Sequence, residues 1–160
     1  MKKTILIIFT ILIAKGVGLA QTKKHNLIGV WQVEYPQLGD AWLANYRFFA
    51  NGAFKYTFNQ YDDRGRIAAA KGVFRLHGDT LTLIIKTRIE RIGGDLVGGN
   101  LGFQQDELVL EGTKNIEVKQ KNSSPIDIHI EWLTKKGVKA FKLQNNTYYL
   151  ISTDPHNQDD

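Results

Sequence analysis

The sequence predicts an all-β protein: an antiparallel up-and-down barrel of about eight to ten strands, preceded by a signal peptide. Three observations support this fold class. Apolar and polar residues alternate in many short runs, and none of these runs shows a sustained helical period. Turn sequences such as Asn51-Gly52 and Gly78-Asp79 separate the runs and connect antiparallel neighbours. Strands with one apolar face must pair into a sandwich or close into a barrel, and regular short connections favour the barrel.

The first twenty residues have the three parts of a bacterial secretory signal peptide. Lys2 and Lys3 form a positive segment, residues 4–14 an apolar segment without charge, and residues 16–20 a small-residue segment that ends at the cleavage position. The apolar segment is too short for a transmembrane anchor, which needs about 20 apolar residues. We therefore expect export to the periplasm or the medium and no stable membrane span. The remaining residues 21–160 are predicted to form a single domain.

Four strands are predicted in the first half of this domain, over residues 27–35, 45–49, 54–59 and 66–76. The first strand ends before Pro36, and residues 41–46 are predicted to contain a short helical turn that leads into the second. Asn51 and Gly52 tolerate positive φ angles and close the hairpin between the second and third strands. In the third strand aromatic residues alternate with polar ones, which is typical of a half-buried strand.

Six further strands are predicted over residues 80–91, 107–112, 115–121, 126–132, 138–143 and 147–153. The fifth strand follows from the alternation of Leu81, Leu83, Ile85 and Ile89. A glycine-rich stretch over residues 93–102 then interrupts the pattern, and we interpret it as a connecting loop beside the barrel mouth. It lacks the Lys-Ser/Thr ending of a phosphate-binding P-loop.

Composition excludes several classes of function. Three of the 21 Lys and Arg residues lie in the predicted signal peptide, and 16 Asp and Glu residues oppose the other 18. The basic residues alternate with acidic ones instead of gathering on one face, so we expect no nucleic acid partner. The chain has no cysteine, which excludes a thiol nucleophile and leaves the hydrophobic core to stabilise the fold. No two histidines are spaced for a zinc site, and no cofactor is expected.

Three segments carry a resemblance to a known family. Gly29-Val30-Trp31 on the first strand resembles the G-x-W motif of lipocalin and other calycin barrels. The aromatic strand and turn over residues 54–62, and the hairpin over residues 72–81, are similar to segments of exported bacterial lipocalin-like domains. The resemblance implies a lipocalin-like barrel with a ligand cup, closed at one end by Trp31. The C-terminal part shows no amphipathic helix of the kind that follows the eighth lipocalin strand.

The aromatic residues carry the ligand hypothesis. Tyrosine and phenylalanine side chains can line an apolar cavity and supply a few placed hydroxyl groups. The candidates are Tyr46, Phe48, Phe54, Tyr56, Phe58, Phe74, Phe141 and Tyr149. We predict that four of these residues and one isoleucine form the walls of the cup. They are Tyr46, Phe48, Tyr56, Phe58 and Ile85. The sequence therefore predicts an exported binding protein for a small apolar or amphipathic molecule.

Two other interpretations remain open. The same rings can fill a small barrel completely, and the protein would then act through its outer face as an inhibitor or as a partner of another cell-envelope protein. Alternatively, His129 shares a strand face with Asp127 and Glu131, as a hydrolase or isomerase would require. That interpretation needs His129 in a concave pocket, and a polar row opposite an apolar stripe is more typical of a solvated face. We expect no catalytic residue and no metal ligand.

Overall fold

The computed structural model describes residues 26–33, 43–59, 65–98, 108–135 and 137–157. The predicted signal peptide, residues 1–20, lies outside this part of the chain. The described residues are organised as nine strands, and none of them is helical. The strands are β1 (Gly29–Val33), β2 (Asn45–Phe48), β3 (Ala53–Thr57), β4 (Ile67–His77), β5 (Thr80–Gly98), β6 (Leu108–Lys119), β7 (Ile126–Lys135), β8 (Val138–Leu143) and β9 (Asn146–Ser152).

Eight of these strands close into an antiparallel barrel. Their order is β4-β3-β2-β1-β9-β8-β7-β5, and a further pairing of β4 with β5 closes the ring. β6 stands outside the ring and pairs with β5. Neighbours in sequence are neighbours in space around most of the barrel, as expected when hairpins connect successive strands. The predicted all-β barrel is confirmed.

The alternating strand directions give the barrel two different ends. One end, here called the short-turn end, carries the connections β2–β3, β4–β5 and β7–β8, each of two to four residues. The other, here called the long-loop end, carries the connections over residues 34–44, 58–66 and 99–107. β5 runs from the short-turn end to the long-loop end and continues beyond the ring.

β5 and β6 extend from the long-loop end as a two-stranded ribbon, which comprises residues 91–98 and 108–115. The sequence had indicated a glycine-rich loop from residue 93 and two strands over residues 107–121. Both expectations are wrong for the described residues, because β5 continues to Gly98 and β6 is one continuous strand from Leu108. Gly93 and Gly94 adopt φ angles of 69° and 70°, so the glycines bend a strand here rather than end it.

A β-bulge in β5 changes which residues face the barrel interior. Gly72 of β4 lies opposite Ile85, but the preceding Lys71 lies opposite Thr87, so Lys86 is an extra residue on β5. Before the bulge, the odd-numbered leucines of β5 face the interior and are buried. After it, the even-numbered Arg88 takes the interior face, opposite Ala70. The predicted placement of Ile89 on the same face as Leu81 is therefore wrong.

A contact on the outer face supports this assignment of β5 residues to the inner and outer faces beyond the bulge. Glu117, which lies directly opposite Ile89, reaches Lys71 on the outside of the barrel, with 3.5 Å between Nζ and Oε2. Hydrogen bonds from residues outside the ring also hold the extra residue, Lys86, in place. The Lys86 carbonyl accepts a hydrogen bond from the Gln120 amide at 2.8 Å, and the Ser123 hydroxyl donates to the Ile85 carbonyl. The bulge is thus built into the connection between β6 and β7.

The first strand shows why its motif requires glycine and tryptophan. Gly29 has a φ of 130°, and a Cβ at this position would collide with the backbone oxygen of Ser152 on β9. Trp31 is fully buried, and its indole N–H donates a 2.7 Å hydrogen bond to the Leu27 carbonyl. Phe141 packs against it with ring centroids 5.0 Å apart. The motif therefore allows close approach of two strands and anchors the core.

Two local expectations also need correction. The predicted helical turn over residues 41–46 is absent from its described part, since Asn45 and Tyr46 already belong to β2. The polar composition of the C-terminal segment from Asp154 is typical of a frayed tail, but its described residues turn back onto the barrel. The Asp154 carboxylate accepts a hydrogen bond from the His156 amide, and the imidazole lies 5.1 Å from the Phe49 ring. Residues 158–160 lie outside the described part.

Candidate functional site

Four of the five predicted wall residues form one chain of contacting rings inside the barrel. The Phe48 and Tyr46 rings stack with centroids 5.4 Å apart, and Tyr46 contacts Tyr56 at 4.4 Å. Phe58 meets Tyr56 edge to face at 4.9 Å. This series of contacting rings crosses from β2 to β3 and then follows β3 toward the long-loop end. The alternation of aromatic and polar residues in the sequence therefore identified a continuous inner surface.

Burial decreases along this surface toward the long-loop end. Phe54 on β3 is 3% exposed, whereas Tyr56 and Phe58, the residue just after the strand, are half-buried. On β1, Trp31 is fully buried and Val33 is half-buried. Tyr56 and Phe58 are therefore the predicted wall residues that a molecule entering from the long-loop end meets first.

Phe48 and Ile85 occupy a deeper level of the barrel. Gly29, Phe48, Phe54, Gly72 and Ile85 follow one another in register across five strands. Phe48 is fully buried, and it contacts Phe74 at 4.7 Å. Ile85 packs against the same core cluster. These two residues form the floor beneath the tyrosines.

Tyr148 completes the arrangement from the other side of the barrel. Its ring lies 5.2 Å from Tyr46 and stacks on Phe141 at 5.3 Å. We refer to Tyr46, Tyr56 and Tyr148 as the tyrosine cluster. These residues come from β2, β3 and β9, so the cluster exists only once the barrel has closed. It brings three phenol groups together in an otherwise apolar core.

Side-chain hydrogen bonds connect the tyrosine cluster. Tyr148 is linked in this way to Tyr56 and to Asn146. A phenol can donate one hydrogen bond while it accepts another. The Tyr56 hydroxyl, on the half-buried wall of the barrel, can therefore bond to a further group besides Tyr148.

The electrostatics of the tyrosine cluster keep these phenols protonated. Burial, above all, raises the pKa of Tyr46, and the nearby Tyr56 raises it further. Burial also raises the pKa of Tyr148, with the proximity of Tyr56 and Tyr46 adding to the effect. Burial also raises the pKa of Tyr56, while its hydrogen bond with Tyr148 acts in the opposite direction. At neutral pH the tyrosine cluster offers neutral hydroxyl groups, not phenolates.

Sequence reasoning missed two residues of the inner surface. Tyr149 was selected as a candidate, but it lies opposite Gln32 on the outer side of β1, and its neighbour Tyr148 faces inward. The two faces of β9 are equally apolar, so the sequence pattern did not distinguish them. The outer face carries Thr147, Tyr149 and Ile151. Arg88 was missed because the alternation before the bulge assigned it to the outside.

The polar row on β7 lies on the convex outer surface. His129 is exposed and lies opposite Thr80, and Asp127 accepts a 2.6 Å hydrogen bond from the Thr82 hydroxyl. An exposed imidazole on this face does not meet the requirement of the His129 enzyme hypothesis for a concave pocket. Asp127 instead helps to pair β7 with β5.

Two other kinds of site are absent from the described residues. No group of three or more His, Asp or Glu side chains in this part of the chain is arranged to hold a metal ion. No helix among the same residues has the length and apolar character needed to cross a bilayer.

Comparison with known proteins adds no relative. The chain matches no protein-family model, no curated protein sequence and no solved structure at a significant level. Any functional assignment therefore depends on the barrel and on the residues that line it.

Proposed function

We propose that the protein is an exported binding protein that holds a small apolar or amphipathic molecule inside its barrel. The observation that carries this proposal is the half-buried inner wall toward the long-loop end, where Tyr56 and Phe58 lie above the fully buried Phe48. Binding sites for small molecules combine apolar walls with a few placed polar groups. The tyrosine cluster supplies both, because each ring contributes apolar surface and one hydroxyl.

Export is the second part of the proposal and has its own support. The N-terminal twenty residues combine a positive segment, an apolar segment and a small-residue segment, as secretory signals do. The intact mass of protein recovered from the periplasm or medium tests it directly. A chain that begins at Gln21 is expected. Recovery of the uncleaved chain from the cytoplasm alone would contradict export.

Native mass spectrometry of the exported protein tests the binding function. Protein purified from its own compartment, without detergent, is expected to carry a bound small molecule whose mass disappears on denaturation. Tyr56→Phe and Phe58→Ala variants provide the comparison, and Phe58→Ala is expected to lower the occupied fraction because it removes part of the wall. A mass equal to the bare chain in every preparation, together with no uptake of added alkyl probes, would contradict the proposal.

A second candidate function is an interaction with another envelope protein. It is favoured by the ribbon, where Ile92 and Leu96 are 45% and 56% exposed. Ile116 of β6, just beyond the ribbon, is 38% exposed and shares a face with Ile92. Exposed apolar residues that lie close together are typical of interaction surfaces.

A photo-reactive residue placed at Leu96, with one at Arg75 on the barrel wall as control, distinguishes the two functions. Crosslinking at Leu96 to one envelope protein, abolished by Ile92→Ser with Ile116→Ser, would support the interaction module. Equal labelling at both positions would contradict it.

A further inference from the structure

One row of directly paired residues crosses six strands of the sheet and includes an arginine side chain. Residues directly opposite each other in antiparallel strands point to the same side of the sheet. The row consists of Trp31 on β1, Tyr46 on β2, Tyr56 on β3, Ala70 on β4, Arg88 on β5 and Val118 on β6. Trp31 and Tyr46 belong to the core, so the side shared by the whole row is the barrel interior. Arg88 is therefore a charged residue on the inner wall.

Arg88 faces the interior because of the bulge described above. Without the extra Lys86, the alternation of β5 would place a threonine or an isoleucine on this wall. A bulge re-aims the side chains that follow it. Here it replaces an aliphatic position with a guanidinium group, at the level where β5 leaves the ring toward the ribbon. Arg88 is half-buried, so its charge stays partly hydrated at the rim of the barrel.

The residue between Arg88 and the tyrosine cluster is small. Ala70 separates Tyr56 from Arg88 in the row and is 7% exposed. Two strand spacings put the backbones of Tyr56 and Arg88 about 10 Å apart. Both side chains are long, and the methyl group of Ala70 is too small to fill the space between them. A head group resting above Ala70 can thus meet Tyr56 on one side and Arg88 on the other.

Two polar side chains flank this position. The Tyr56 hydroxyl can donate a hydrogen bond. An arginine guanidinium has only donors and pairs with a carboxylate through two parallel hydrogen bonds. Glu90 is on the same face as Arg88, one step nearer the ribbon, and lies opposite Ile116. None of the six residues in the row carries a carboxylate, so we expect the ligand to supply the acceptor at the level of Ala70.

We propose that Arg88 and Tyr56 recognise a carboxylate head group, so that the ligand is an anionic amphiphile whose alkyl chain points toward the floor formed by Phe48 and Ile85. The inference rests on the binding function proposed above. The carboxylate accepts hydrogen bonds from the guanidinium and from the Tyr56 hydroxyl. Glu90, beside Arg88, disfavours a head group that carries more than one negative charge.

Three probes with the same alkyl chain and different head groups test the inference by titration calorimetry. They are decanoate, decanol and decyltrimethylammonium, each used below its micelle concentration. Decanoate is expected to bind at least ten-fold more tightly than decanol, and the cation more weakly than either. In Arg88→Gln, decanoate is expected to fall to the affinity of decanol, while decanol binding stays unchanged. Arg75→Gln removes the same charge from an exposed position and is expected to leave all three affinities unchanged.

The outcomes separate this inference from the function on which it rests. Decanol binding as tightly as decanoate, or decanoate binding undiminished in Arg88→Gln, would overturn the carboxylate site and leave the binding function standing. Failure of all three probes to bind would overturn both. If Arg88→Gln does not fold, Tyr56→Phe provides the second variant. It is expected to weaken decanoate three- to ten-fold and decanol by less than two-fold, and equal effects on both would overturn the inference.

Discussion

The hydroxyl groups of Tyr56 and Tyr148 are joined by a hydrogen bond, although β3 and β9 are separated in the sheet by β2 and β1. The bond therefore crosses the barrel interior instead of following the wall. Tyr46 lies against both rings, at 4.4 Å and 5.2 Å. A polar connection across an otherwise apolar core positions these hydroxyls only when the barrel is closed, which couples the candidate site to the integrity of the fold.

The raised tyrosine pKa values predict a loss of stability at alkaline pH. Folding holds the phenols of the tyrosine cluster above the unfolded value of 10.0, so the unfolded chain releases their protons first as the pH rises. The free energy of unfolding should be constant in this respect up to about pH 9 and decline above about pH 10. Urea unfolding between pH 8 and pH 11 measures it. Tyr148→Phe removes one such phenol and should show a shallower decline, whereas an identical slope would contradict the assignment.

Substitution of Trp31 should be the most damaging single change in the core. The indole is fully buried and satisfies the Leu27 carbonyl. Trp31→Ala is expected to lower the free energy of unfolding by about 3–5 kcal/mol, because it leaves a large cavity. Trp31→Phe keeps much of the volume but loses the hydrogen bond, so we expect a smaller cost of about 1–3 kcal/mol. Val73→Ala on the exposed wall serves as control, and a cost there equal to that of Trp31→Phe would contradict the account.

The glycine of the first strand should be less replaceable than a turn glycine with a positive φ. Gly29→Ala introduces a Cβ into the backbone oxygen of Ser152, whereas at Gly78 the space around such a Cβ is open. Gly78→Ala is expected to cost about 1–2 kcal/mol from its φ of 57° alone. Gly29→Ala should cost about 1–3 kcal/mol more, because β1 and β9 must separate. Equal unfolding midpoints in urea for the two variants would show that the strands do not approach as described.

Polar substitutions on the ribbon and just beyond it should leave the stability of the barrel unchanged. Ile92 and Ile116 are exposed, so Ile92→Ser with Ile116→Ser is expected to change the free energy of unfolding by less than about 0.5 kcal/mol. Leu83→Ala on the same strand β5 is the contrasting variant, with an expected loss of about 2–5 kcal/mol because that side chain is 5% exposed. A comparable loss in the free energy of unfolding for both variants would show that Ile92 and Ile116 belong to the core.

Much of the fold was accessible from the sequence because alternation and turn residues act locally. The hairpin at Asn51-Gly52 and the buried Trp31 follow from short-range patterns, and the barrel follows from their repetition. The ribbon did not follow. Glycines usually end strands, and only the pairing of Gly93 with Thr113 shows that these ones continue.

The candidate site was predictable only in part, for a related reason. Tyr46 and Tyr56 come from strands with one apolar and one polar face, which fixes the side that each residue takes. Tyr148 and Tyr149 are adjacent on a strand with apolar residues on both faces, and their roles depend on register with β1. Arg88 depends on a one-residue bulge, which shifts every following side chain to the other face. No local pattern in β5 records that shift.

The central claim is that a small molecule enters the barrel and contacts the tyrosine cluster. Fluorine NMR of protein labelled with 3-fluorotyrosine tests it most directly, with each resonance assigned from its Tyr→Phe variant. Addition of decanoate is expected to shift the signals of Tyr46, Tyr56 and Tyr148 and to leave Tyr149, on the outer face, in place. A shift of Tyr149 alone, or unchanged signals from the tyrosine cluster at saturating probe, would contradict the account.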